Sequence, residues 1–147
     1  MADDTRDFIG FLGRSPNVVL HGQVSSERLA DEIQDMDCFI LSYARDVTES
    51  DRSNSHKILE YLSTGKVVVS SRISSYAERE NLMLMAPGDD DSVLPALLKD
   101  ALQRLDELNA PEHQMARRRF ALDNTYEKQI DRIRDALASG ISGQSSR

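Results

Sequence analysis

At 147 residues the chain has the length of one ordinary domain, enough to bury about 68–70% of its unfolded surface without disulfide or metal staples. Its 39% hydrophobic and 29% charged residues are a common globular balance, and its net charge of −7 argues against nucleic acid, whose binders usually present a basic face. The single cysteine excludes an internal disulfide, no apolar run approaches the ~20 residues of a membrane span, and the acidic start lacks a secretory signal's basic and apolar regions, so a cytoplasmic location is expected.

The chain then alternates. Val18-Val19-Leu20 is a short β-branched run after Pro16-Asn17 and ends at Gly22, which predicts a first strand. Ser25 or Ser26 is placed to cap a helix whose apolar positions Leu29, Ile33 and Met36 recur at spacings of four and three. Cys38 to Leu41 is an unbroken apolar run suited to a strand covered on both faces, with Cys38 as a small buried hydrophobe. A polar, aperiodic loop follows from Ser42 to about Ser53, and Ser55 to Thr64 reads as a helix closed by Gly65. Val67-Val68-Val69 is expected as the third strand and Leu82 to Met85 as the fourth, before a turn at Pro87 to Asp91.

The remainder reads as helical. Val93, Leu94, Leu97, Leu98, Ala101, Leu102, Leu105 and Leu108 form one apolar stripe, ended by Pro111. A segment around Glu112 to Leu122 follows. Asn124-Thr125 then caps a last helix with Ile130, Ile133 and Leu137 on one side, and residues 139–147, rich in Ser and Gly, are expected to be a disordered tail after a single domain over 1–138.

Strands alternating with helices imply an α/β fold, a parallel sheet with helices on both faces. Ligands of such sheets bind outside the carboxyl ends of the strands, here His21-Gly22, Ser42-Tyr43, Ser70-Ser71 and Ala86-Pro87.

One of those ends carries chemistry. On a helix beginning at Ser55, residues Ile58, Leu59 and Leu62 fall on one side, and His56, Lys57, Glu60 and Thr64 on the other. The first-turn N–H groups, with Ser53, Asn54 and Ser55, suit an anion such as a diphosphate, Lys57 or His56 would neutralise it, and Glu60 one turn on would accept hydrogen bonds from sugar hydroxyls. Periodicity alone allows equally a capped amphipathic helix whose polar face is merely wet.

The pattern K-x-x-E-Y-L-x-x-G-K-x-V-V-S from Lys57 to Ser70 resembles the donor-site helix and following strand of GT-B glycosyltransferases, especially the large retaining group that uses nucleotide-activated sugars. Asn17 to Leu29 is similar to that family's N-V-x-x-x-G-x-V-x-x-x-x-L segment, Asp37 to Tyr43 to its D-x-x-x-L-P-[SY] strand, and Asn124-Thr125-Tyr126 to the opening of its terminal helix. The resemblance covers Asn17 to about Leu137. It implies the C-terminal, Rossmann-like half of a GT-B enzyme, which binds a nucleotide-sugar donor for glycosyl transfer of the kind used in polysaccharide biosynthesis and needs no metal or other cofactor. By this resemblance Glu60 holds the ribose hydroxyls, Ser55, His56 and Lys57 lie near the diphosphate, and Gly22, Gln23 and Val24 lie against the base.

Two departures stand out: Arg52 replaces a glutamate that contacts the donor sugar in many members, and Val67 replaces a usual proline. The family's first donor-domain strand has only a poor counterpart in Phe8 to Gly13. The resemblance therefore implies a truncated start and a separate N-terminal Rossmann-like domain for acceptor and catalytic groups, with the isolated chain inactive. A non-catalytic interaction domain that kept the fold and lost the donor site is the alternative.

Other chemistries fail on the residues. Gly65-Lys66 is no phosphate loop, because Glu60 stands where a glycine is needed and Val67 follows the lysine. Neither a Gly-x-Ser-x-Gly elbow nor a G-x-G-x-x-G turn occurs, and His21, His56 and His113 lie too far apart to suggest a metal. Arg117-Arg118-Arg119 reads as a solvated helix face or as a peripheral contact with an anionic membrane.

Overall fold

The computed structural model describes residues 2–43, 56–79 and 81–142. The chain divides into two compact units, Met1–Glu32 and Ile33–Arg147.

In the first unit, helix α1 spans Ala2–Arg14 and helix α2 spans Ser26–Glu32. The stretch Phe8 to Gly13 is thus helical. The helix closes where the Ser15 amide donates to the Leu12 carbonyl at 3.0 Å, just before Pro16. Ser25 caps α2, its hydroxyl accepting from the Arg28 amide at 3.3 Å. The expected strand at Val18-Val19-Leu20 is absent: these residues are irregular, and Val19 is 76% exposed. Three β-branched or apolar residues do not make a strand without a neighbour to accept their backbone hydrogen bonds.

The second unit holds a sheet of three strands: β1 (Cys38–Leu41), β2 (Val67–Ser70) and β3 (Leu84–Met85), in that order and all parallel. The last strand is shorter than expected, since Leu82 and Met83 are buried ahead of it without joining the ladder. Helix α3 (His56–Ser63) connects β1 to β2, and after β3 come α4 (Leu94–Gln103), α5 (Leu105–Leu108), α6 (Pro111–Asp123) and α7 (Tyr126–Ser142). The single apolar stripe expected over 93–108 is interrupted at Arg104, whose side chain bonds both Asp100 and Glu107. Helix α7 continues four residues into the stretch expected to be a disordered tail, whose last five residues lie outside the described ones.

Helices cover both faces of the sheet. Register pairs Cys38 with Val67 and Val69 with Leu84, and these side chains pack with Leu94, Leu97, Leu98 and Ala101 of α4 and Leu105 and Leu108 of α5. Phe39 and Val68, paired on the opposite face, meet α3: the Tyr61 ring stacks on Phe39 with centroids 4.2 Å apart and planes 7° from parallel. Ile58 and Leu62 of α3 are fully buried and Leu59 half-buried, as the helical period requires. Thr64, expected on the polar face, is instead buried. It lies past the helix end, where its hydroxyl donates to the Tyr61 carbonyl at 2.7 Å and accepts from the Lys66 amide at 3.1 Å.

The amino end of the sheet is bound together by polar side chains. Asn109 accepts from the Val67 amide at 2.9 Å and donates to the Asp37 carbonyl at 2.8 Å, joining the entrances of β2 and β1. Arg117 is only 3% exposed and donates to the carbonyls of Leu82, Gly65 and Leu108. Arg118 gives two hydrogen bonds to the Thr64 carbonyl, at 3.1 and 2.8 Å, and so caps α3. Of the 117–119 run, Arg117 is therefore buried within the fold, whereas Arg118 and Arg119 are exposed, Arg118 while capping α3. Gly65 is required twice: its φ of +81° is left-handed, and an added Cβ would stand 2.9 Å from Arg118 Nε and 3.0 Å from Gln114 Cβ.

Candidate functional site at the carboxyl ends of the strands

Helix α3 runs opposite to the strands it joins. Its eight residues span about 12 Å at ~1.5 Å each, close to the roughly 13 Å of a four-residue strand. Its last turn is fixed at the entrance of β2, so its first turn comes level with the strands' carboxyl ends. Those ends are linked to one another: the Ser71 amide donates to the Leu41 carbonyl at 2.9 Å, the Ala86 amide to the Ser70 carbonyl at 2.9 Å, and the Tyr43 amide to Ser71 Oγ at 3.0 Å. Ser70 and Ser71 are wholly buried, so their hydroxyls serve this edge rather than solvent, Ser70 Oγ donating to Met83 Sδ at 3.5 Å.

On α3 the structure brings His56, Lys57 and Glu60 to one exposed face, opposite Ile58 and Leu62. The His56 ring pairs with Tyr126, the first residue of α7, with centroids 6.2 Å apart, in the range of offset aromatic pairs. Tyr126 is 75% exposed, so this end of α7 forms a second edge beside the helix start. Ser55, Ser53, Asn54 and Arg52 lie outside the described residues.

Gly22, Gln23 and Val24 belong to the first unit. Gly22 turns with φ +66°, Gln23 is exposed and Val24 half-buried. The turn is tied to α2 by His21, whose Nδ1 lies 3.0 Å from Glu32 Oε2, while Arg28 Nε holds the other Glu32 oxygen at 2.7 Å. His21 is therefore engaged within its own unit rather than standing at a strand end.

Tyrosines that the residue pattern did not single out gather behind the edge. Tyr43 follows β1 by two residues, and its ring oxygen is buried with no hydrogen-bond partner among the described residues. Tyr61 and Tyr76 ionise above the usual tyrosine range, first because both are partly buried; Glu60 and Tyr43 add to this at Tyr61, and Tyr43 does so at Tyr76 against the pull of Arg79. Tyr76 meets Phe120 edge-on at 5.8 Å, and Arg79 lies over the same Phe120 ring at 5.1 Å. The strand-end rule named Tyr43 without assigning it a role; its buried hydroxyl had no signal in the residue pattern.

Two hollows lie on the helical side. One of about 210 Å³ is bordered by Leu59, Ser75, Tyr76, Arg79 and Asn124, beside the α3 face; another of about 510 Å³ runs along α6 past Met115, Arg119 and Leu122 and includes no strand-end residue. Volume alone favours the second, but the chemistry of parallel sheets favours the strand ends. Among the described residues no group of three or more His, Cys, Asp or Glu side chains is arranged to hold a metal ion. No helix among them is long and apolar enough to cross a membrane. Burial also pushes the Cys38 thiol above its ordinary range, which makes it a packing residue and a poor nucleophile.

The family described as "Glycosyl transferases group 1" matches residues 3–103, more than half of the chain. The chain belongs to this family of glycosyl transferases. The match runs from α1 to the end of α4 and so includes the α3 face and the three strand ends. The parallel α/β layering is that of a Rossmann-like glycosyltransferase fold. No match was found among curated proteins or among solved structures.

Proposed function

We propose that this group 1 glycosyl transferase chain supplies the donor-binding wall of its enzyme, holding a nucleotide-activated sugar at the carboxyl edge of the sheet. The observation that carries the reading is the exposed triplet His56, Lys57 and Glu60 at the start of α3, level with the strand ends and inside the family match. Helix-start N–H groups and the Lys57 ammonium favour the diphosphate, and the Glu60 carboxylate, one turn further along, suits a pair of ribose hydroxyls. Acceptor binding and transfer are assigned to a second domain facing this one, so the isolated chain is expected to bind donor without turning it over.

Calorimetric titration of the chain with nucleoside diphosphates and their sugar conjugates, across uracil, guanine, adenine and thymine, tests this reading. Saturable binding of at least one pair is expected. Absence of binding across the whole series overturns it and leaves an interaction domain that retained only the fold.

A further inference from the structure

We propose that the Tyr43 hydroxyl is a hydrogen-bond donor to the bound nucleotide sugar, a contact that rests on the donor-binding reading above. Buried polar side chains nearly always have a partner, and a phenylalanine would fill the same space without leaving a buried hydroxyl unsatisfied. The Tyr43 ring oxygen is buried with no partner among the described residues, so the fold itself draws no hydrogen bond from it.

Its position gives that donor a use. The Tyr43 amide is fixed to Ser71 Oγ at 3.0 Å, which seats the residue between the carboxyl ends of β1 and β2. That edge is where ligands of parallel sheets enter. Tyr43 lies near enough to both Tyr61 and Tyr76 to disfavour their ionisation, and Tyr61 also feels Glu60 of α3, the helix that carries the proposed ribose contact. Every segment of a nucleoside diphosphate sugar offers oxygen acceptors, on ribose, phosphate and sugar alike. A donor with no protein partner breaks no internal hydrogen bond when such an oxygen arrives, so the only bond given up is the one the ligand oxygen made with water.

Tyr43→Phe in the full chain tests this, with melting curves and calorimetry on a nucleoside diphosphate and on its sugar conjugate. The expected result is a three- to tenfold weaker affinity, about 0.7–1.4 kcal/mol and so the size of one hydrogen bond, with a melting temperature equal to or above that of the wild type. Loss confined to the conjugate assigns the contact to the sugar, and equal loss with both ligands assigns it to the nucleotide; either supports the proposal. Unchanged affinity for both overturns it. So does a lowered melting temperature, whatever the affinity, because the hydroxyl then has a partner in the fold. A wild-type chain that binds no nucleotide removes the donor-binding reading itself, whereas a binding wild type with an indifferent Tyr43→Phe removes only this contact.

Discussion

Arg117 reaches the Gly65 carbonyl at 3.0 Å from 52 residues further along the chain, and it does so with no carboxylate paired to it among the described residues. The same guanidinium serves Leu82 and Leu108, so one side chain satisfies carbonyls that precede β2, precede β3 and end α5. Burial makes its charged form less favourable than in water, and the three carbonyl dipoles offset that cost.

Arg117→Ala should therefore destabilise the chain by about 3 kcal/mol, three lost hydrogen bonds at roughly 1 kcal/mol each. Urea unfolding measures it. Arg117→Lys should recover only part of that, since an ammonium lacks the planar fork that serves three directions. A loss under about 1 kcal/mol for the alanine variant would show that water replaces the guanidinium at little cost.

Gly65→Ala should cost about 2 kcal/mol or more. A left-handed backbone costs a non-glycine residue roughly 1–2 kcal/mol, and the new methyl also pushes Arg118 away from the Thr64 carbonyl it caps. A melting curve matching the wild type would contradict both arguments at once.

Glu60→Gln should weaken nucleotide binding by about five- to thirtyfold, or roughly 1–2 kcal/mol, while the melting temperature stays in place. The carboxylate is exposed, opposite buried Ile58 and Leu62, so its charge contributes to the proposed ribose contact and not to the core. A nucleotide lacking both ribose hydroxyls should bind wild type and variant about equally. Unaltered affinity in a folded Glu60→Gln chain would remove the ribose role.

Stability should fall as the solution turns alkaline. Cys38, Tyr61 and Tyr76 all hold their protons more tightly when folded, chiefly because burial disfavours their charged forms. Their contribution is complete below the pH at which the unfolded groups ionise, about 8.5 for cysteine and 10 for tyrosine, and it is lost as pH rises through the folded values. Urea midpoints at pH 8 and pH 10.5 measure the slope, and Tyr76→Phe should make it shallower. A flat profile in both proteins would show that these groups titrate alike in the two states.

The α/β alternation was legible because a sheet covered by helices needs apolar runs; Val67–Val69 is buried on both faces, whereas Cys38–Leu41, expected to be covered likewise, forms an edge strand with Ile40 49% exposed and Cys38 only half-buried. Gly65 announced the end of α3 for a similar reason, since few residues other than glycine accept its backbone angle. Val18-Val19-Leu20 misled because β-propensity describes a residue's fit to a pleat and says nothing of whether a neighbouring strand exists. The arginine run misled in the other direction. Helix α6 is poor in apolar residues, so no periodicity reveals that Arg117 points inward along with Ala121 four residues later. Of the candidate site, His56, Lys57 and Glu60 could be read from helical spacing, whereas the seating of Tyr43 depends on Ser71, 28 residues away.

The polar bonds of Asn109, Arg117 and Arg118 all gather at the amino end of the sheet, beneath the strands and away from the helix start that carries His56 and Lys57. Mechanical support and the proposed donor contacts thereby fall at opposite ends of the sheet. Substitutions at the exposed α3 face alter no bond of the support, so under the proposed donor-binding role the preference for one donor over another is free to drift, or to be redesigned, over a foundation that stays constant.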